Sequence, residues 1–175
     1  AANAPVVPES KSRFHMADED EQDAEPEAKW NAEGVLPRRG TMCVYGASGA
    51  YKSFLLLDMA LGVAAGTEVW GSKVNNPGSV IYGALEGRTS LARERRPAWR
   101  MAKGIKGKLP FYVTRAPMLG MPGERDEFIK QADKKHALKP IRLIVFETAA
   151  KMLVGCDATK DVPALVQYCE DLVER

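Results

Sequence analysis

Residues that bind transition metals are scarce in this sequence. Its two histidines, His15 and His136, stand far apart, and its three cysteines, Cys43, Cys156 and Cys169, have no paired spacing with one another or with histidine. That excludes a zinc ligand set and a disulfide framework, and the thiols are expected to be reduced. No apolar run approaches the roughly 20 residues that cross a bilayer, so no membrane span is expected. Ala1 to Pro8 lacks the basic segment and apolar core of a secretory signal, and a cytoplasmic location follows by default. No internal repeat is visible.

What the chain does contain is an ordinary globular balance: 175 residues, 45% hydrophobic and 27% charged, the size of one domain plus a tail. The net charge of +2 hides two unlike parts. Residues 1–29 hold eight acids against three bases, which leaves 15 acids and 22 bases for the remainder. The acidic run from Asp18 to Glu27, with Pro5, Pro8 and Pro26 and almost nothing apolar, cannot offset the entropy of ordering. It reads as a disordered acidic N-terminal arm over 1–29. The basic remainder is compatible with a polyanionic partner, although most basic faces are merely solvated.

From Trp30 onward short β-rich runs alternate with helix-length stretches, the pattern of βαβ units and a mostly parallel sheet flanked by helices. The fold class is α/β, with the domain over 30–175. Strands are expected at Thr41–Tyr45, Ser79–Leu85, Leu109–Arg115 and Ile141–Phe146, the last covered on both faces. Helices are expected at Lys52–Ala65, where Phe54, Leu55, Leu57, Met59 and Leu61 feed the core and Gly66 ends the helix, at Arg88–Lys103 with a break near Pro97, at Glu124–His136 and at Val162–Arg175.

Between the first strand and the first helix lies Gly46-Ala47-Ser48-Gly49-Ala50-Tyr51-Lys52-Ser53, which fits Gly-x4-Gly-Lys-Ser/Thr except that Tyr51 stands at the second glycine. Triphosphate binding needs inward-turned amides, a helix N-terminus behind them, a cation for the outer phosphates and a hydroxyl for the metal. Gly46, Gly49, Lys52 and Ser53 supply these. The bland alternative is a strand-turn-helix junction with an incidental Lys-Ser. A tyrosine at position 51 is expected to keep φ negative, since a side chain disfavours the left-handed region.

With these motifs the chain resembles RecA-like P-loop ATPases, closest to the replicative-helicase-like AAA-family ATPases of phages and plasmids. Trp30 with Gly34-Val-Leu-Pro-Arg-Arg-Gly40, the Lys52-Ser53-Phe54 start of the helix, Gly66-Thr-Glu-Val-Trp70-Gly71, Pro77-Gly78, Val80 to Gly87 and Ile141 to Met152 carry the likeness over nearly everything after residue 30. The resemblance implies ATP and Mg²⁺ as ligands, a role in DNA replication or DNA metabolism, and a homo-oligomeric ring. Glu86 ends the second strand, where a parallel sheet places its ligands. It matches the water-activating glutamate of such enzymes, and otherwise is an acid capping the next helix. Leu143 to Glu147 has the form of a Walker B strand, and Glu147 would join Ser53 at the metal although relatives usually have Asp there. The resemblance further implies that the domain is incomplete at its C-terminal end, with the sensor strands and arginine finger lying beyond residue 175.

The basic stretch Arg88, Arg93, Arg95, Arg96, Arg100, Lys103, Lys106 and Lys108 surrounds Trp99 and makes single-stranded DNA a candidate partner. The favoured alternative has Trp99 packed on the sheet and the arginines solvated or paired. Trp30, Trp70 and Tyr82 read as core or rim aromatics with the option of stacking on adenine. No role is assigned to His15, His136 or Lys151. The competing function, from a different class, is a nucleotide-binding regulatory module in which Tyr51 and Glu147 leave little or no turnover.

Overall fold

The computed structural model describes residues 16–153 and 158–174. Its centre is a three-stranded sheet of order β6-β5-β7 in which both pairings are parallel. Here β5 is Ser79–Ala84, β6 is Phe111–Thr114 and β7 is Ile141–Glu147. Before the sheet come α1 (Glu19–Asp23), the antiparallel pair β1 (Trp30–Ala32) and β2 (Leu36–Pro37), α2 (Lys52–Ala65), and the antiparallel pair β3 (Glu68–Val69) and β4 (Ser72–Lys73). Between β5 and β6 run α3 (Arg88–Ser90), a π-helical turn (Leu91–Arg95) and α4 (Arg96–Ala102). Then follow α5 (Glu124–Leu138), α6 (Ala149–Met152) and α7 (Ala158–Val173).

Alternation along β5 divides the core into two layers. Val80, Tyr82 and Ala84 face α2 and pack with Leu57, Met59, Leu61, Val63, Leu91 and Val145. Ile81 faces the other way, toward Phe128 and Ala132 of α5, Met152, and Tyr168 of α7. Helices therefore cover both faces, and every residue of β5 is buried because it is central. The α2 bounds are those expected, and Gly66 ends the helix in the left-handed conformation at φ 69°. The break near Pro97 takes the form of the π turn just before it. Proline cannot donate to the carbonyl four residues back, and its ring crowds that carbonyl.

Three expectations are corrected. Thr41–Tyr45 is not a strand: it lies outside the sheet, only Val44 is half-buried, and Tyr45 is 90% exposed. β-rich composition describes fit to a half-buried pleated surface, and these five residues stay mostly exposed instead of pairing with the open edge of β7. As a consequence β7 is an edge strand: both faces are packed, Leu143 and Val145 on the α2 side and Ile141, Ile144 and Phe146 on the α5 side, but only Val145 is fully buried, so the covering is shallower than expected. At the start of α2, Phe54 and Leu55 are exposed (51% and 46%), outside the apolar core into which the later turns of the helix pack. Of the arm expected to lack structure, residues 1–15 lie outside the described residues. The rest contains α1, held by a capping box between Asp18 and Glu21 and burying nothing. Cys156 also lies outside the described residues.

Candidate functional site

Glycine-rich chain, helix start and strand end meet at the C-terminal edge of the sheet. The Gly46 to Ser53 segment wraps around its own lysine. Lys52 Nζ donates to the carbonyl oxygens of Gly46 (2.8 Å) and Ala47 (2.7 Å), and Ala47 also accepts from the Ala50 amide at 3.3 Å. Gly49 and Tyr51 both take left-handed backbone, at φ 79° and 56°. The negative φ expected at Tyr51 is thus corrected: the tyrosine adopts the backbone that glycine usually takes, and its ring turns outward, 73% exposed, so it does not fill the turn. The α2 N-terminus has no side-chain cap, which leaves its first-turn amides without a side-chain acceptor.

Ser53, one residue into α2, reaches across 94 positions of sequence to donate a hydrogen bond to Glu147 Oε1 at the end of β7. Glu147 Oε2 accepts a second hydrogen bond from the Tyr82 hydroxyl. Register explains the meeting. Tyr82 lies opposite Val145 and Ala84 opposite Glu147, all on the α2 side of the sheet, and the small Ala84 leaves the diagonal from Tyr82 to Glu147 open. Burial, together with the hydrogen bond to the Glu147 carboxylate and its negative charge, pushes the Tyr82 hydroxyl far above the ordinary tyrosine range, and nearby Arg95 offsets this only in part. The peptide between Glu147 and Thr148 is cis.

The donor set suits a hard cation. Hydroxyl and carboxylate oxygens converge beside the Gly46 to Ser53 loop, and Mg²⁺ prefers one or two carboxylates plus substrate phosphates to an all-protein cage. No group of three or more His, Cys, Asp or Glu side chains capable of holding a metal is present among the described residues.

Glu86 follows β5 at the same edge of the sheet but touches neither Ser53 nor Glu147. Its carboxylate is paired with Lys151 on α6, a residue whose role the sequence left open. Arg95, from the π turn, lies over the Phe54 ring at 4.7 Å, and Tyr51 meets the same ring edge-on at 5.9 Å. Trp99 packs against the core and donates to Asp58 Oδ1 at 2.7 Å, as the favoured alternative for it expected. Part of the basic stretch is engaged internally: Arg96 donates to the Ala92 carbonyl at 3.2 Å, Arg100 to that of Gly107, and Lys103 pairs with Glu68 at 3.3 Å.

Tyr82, Arg95 and Lys151 are the neighbours that sequence reasoning missed as parts of this site. Tyr82 sits in an apolar run that reads as core, and only the register reveals where its hydroxyl points. A cavity of about 580 Å³ opens on the opposite face of the sheet between β6 and α5, lined by Tyr112, Thr114, Arg115, Phe128 and Lys135 among others, and none of the candidate site residues lines it.

The sequence profile of a protein family described as "AAA domain" matches residues 8–175. No curated protein and no solved structure matches the chain. Among the described residues no helix is long and apolar enough to cross a membrane.

Proposed function

Because the chain belongs to the AAA domain family, whose profile covers nearly all of it, we propose that Gly46 to Ser53 binds the polyphosphate of ATP with Mg²⁺ and that the domain hydrolyses it. The carrying observation is the hydrogen bond from Ser53 to Glu147, which joins the loop to the end of β7 with oxygen donors only. In this reading the Lys52 ammonium leaves the Gly46 and Ala47 carbonyls for the outer phosphates, and the amides of Ala47, Ser48, Gly49 and Tyr51 line the anion, joined by that of Ala50 once it gives up its long bond to the Ala47 carbonyl. Ser53 and Glu147 hold Mg²⁺, which when bound neutralises charge on the phosphate oxygens. Phe54 flanks the entrance, and Glu86 orients the attacking water once it parts from Lys151.

The resemblance to replicative-helicase-like ATPases extends the proposal to DNA replication or DNA metabolism, with single-stranded DNA as polyanionic partner and a ring of identical chains. Exposed Arg88, Arg93, Lys106 and Lys108 are the bases left for such a contact. The proposed division is an acidic arm over 1–29 and the ATPase domain from 30 onward. A second reading, a nucleotide-binding regulatory module with little turnover, is favoured by one observation: Glu86 is occupied by Lys151.

Calorimetry of MgATP against the wild type and Lys52→Ala tests the site. Micromolar binding that the variant weakens at least tenfold, about 1.4 kcal/mol or more, supports it, and equal affinity refutes it. Phosphate release at saturating MgATP then separates enzyme from regulatory module.

A further inference from the structure

We infer that Tyr82 is a positioning residue for the metal-binding carboxylate: its hydroxyl holds Glu147 Oε2 so that Oε1, shared with Ser53, keeps a fixed place for the cation. The inference rests on the reading of Ser53 and Glu147 as the Mg²⁺ site.

Tyr82 is completely buried in the middle of β5, with Phe111 as its aromatic neighbour at 6.0 Å. Phenylalanine would fill the same volume, so packing does not explain the hydroxyl. Burying a phenol costs roughly 1–3 kcal/mol unless it finds a partner. A partner is not automatic in this protein, since the Tyr168 hydroxyl is buried with none among the described residues. The Tyr82 hydroxyl, by contrast, projects toward the end of the sheet and meets the acid at the close of β7.

The length of Glu147 matches this contact. It ends a strand two residues beyond the position opposite Tyr82, and its extra methylene relative to aspartate carries the carboxylate over Ala84 to both Ser53 and Tyr82. Aspartate would draw the group back from the phenol. A carboxylate has about four lone-pair positions, so two neutral donors leave capacity for the cation or its water while removing the rotation that a free glutamate would have. Glu147 and Tyr82 thus form a matched pair, in which the longer acid is held by the longer reach of the neighbouring strand's hydroxyl.

The test is the Mg²⁺ enhancement of ATP affinity, measured by calorimetry with and without EDTA in wild type, Tyr82→Phe, Glu147→Asp, Glu147→Ala and the Tyr82→Phe/Glu147→Asp double variant. Tyr82→Phe is expected to reduce the enhancement roughly tenfold while metal-free ATP affinity stays within about twofold, as removal of a residue that orients a metal ligand does. In the Glu147→Asp background the same change is expected to add nothing, and a further tenfold loss there overturns the pairing. Glu147→Asp alone, which leaves Tyr82 in place, is expected to lose a similar part of the enhancement, and full enhancement in it overturns the match of lengths. Full enhancement in Tyr82→Phe, beside a loss in Glu147→Ala, overturns the role of Tyr82 alone. No loss in Glu147→Ala overturns the metal site itself, and Tyr82 with it.

Discussion

The ammonium of Lys151 rests on the carboxylate of Glu86, tying the turn after β5 to the short helix after β7. Both side chains are about half exposed, so the pair is screened and worth about 1 kcal/mol or less. It restrains Glu86 without committing it.

Glu86→Gln is expected to bind MgATP as the wild type does while phosphate release falls at least about 100-fold, the lower end for removing a positioned base. Turnover within a few-fold of wild type removes Glu86 from the role.

Tyr51→Gly removes a side chain from a position at φ 56°. Left-handed backbone costs a non-glycine residue about 1–2 kcal/mol, and the greater freedom of glycine in the unfolded chain returns about 0.4–1 of that. A small net stabilisation, on the order of 1 kcal/mol or less, is expected in denaturant titration, with MgATP affinity retained because the ring already points outward. A loss of affinity would instead make the ring part of the nucleotide contact.

Gly62 lies where α2 crosses β3, and a Cβ there would stand 2.4 Å from the Glu68 carbonyl oxygen and 3.1 Å from Val69 Cγ2. Backbone oxygen cannot move aside as a flexible side chain can. Gly62→Ala should therefore destabilise by about 1–3 kcal/mol despite alanine's better helix propensity. An unchanged melting temperature would show that α2 and β3 separate more easily than their contact implies.

Local chemistry made α2 legible to the residue. Lys52 to Ala65 contains good helix formers, and Gly66 supplies the left-handed stop. The β5 and β7 strands were legible for a similar reason, as β-branched runs of strand length. Thr41–Tyr45 also carries strand-forming residues, Thr41, Val44 and Tyr45, yet stays outside the sheet although the β7 edge is open, because strand formation depends on docking against a neighbour and a core and not on the segment alone. The loop could be read from its glycines, lysine and serine. The bond from Ser53 to Glu147 came into view through the Walker B form, whereas the Tyr82 contact needs the register of two parallel strands, which no local pattern encodes. Lys151 is similar: only the turn into α6 brings it to Glu86.

The two thiols with a described structure should separate by pH. Cys43 is exposed, whereas burial, with a smaller contribution from Glu170, raises the pKa of Cys169. Alkylation at pH 7.5, followed by mass spectrometry, is expected to label Cys43 first, with Cys169 catching up only at more alkaline pH. Since the folded chain holds the Cys169 proton more tightly than the unfolded chain does, its contribution to stability is complete below the ordinary thiol pKa near 8.5 and is lost as pH rises through the higher folded value. Equal labelling rates at pH 7.5 would mean that α7 opens readily.

Lys52 is already chelated by the oxygens of Gly46 and Ala47. If the loop takes the polyphosphate as proposed, an incoming anion competes with the protein's own backbone, and the dissociation constant read in solution exceeds the intrinsic one by the reciprocal of the unlatched fraction. At high ligand concentration the capture rate should level off at the speed of unlatching, so a substitution that loosens the turn can tighten binding without adding a single contact.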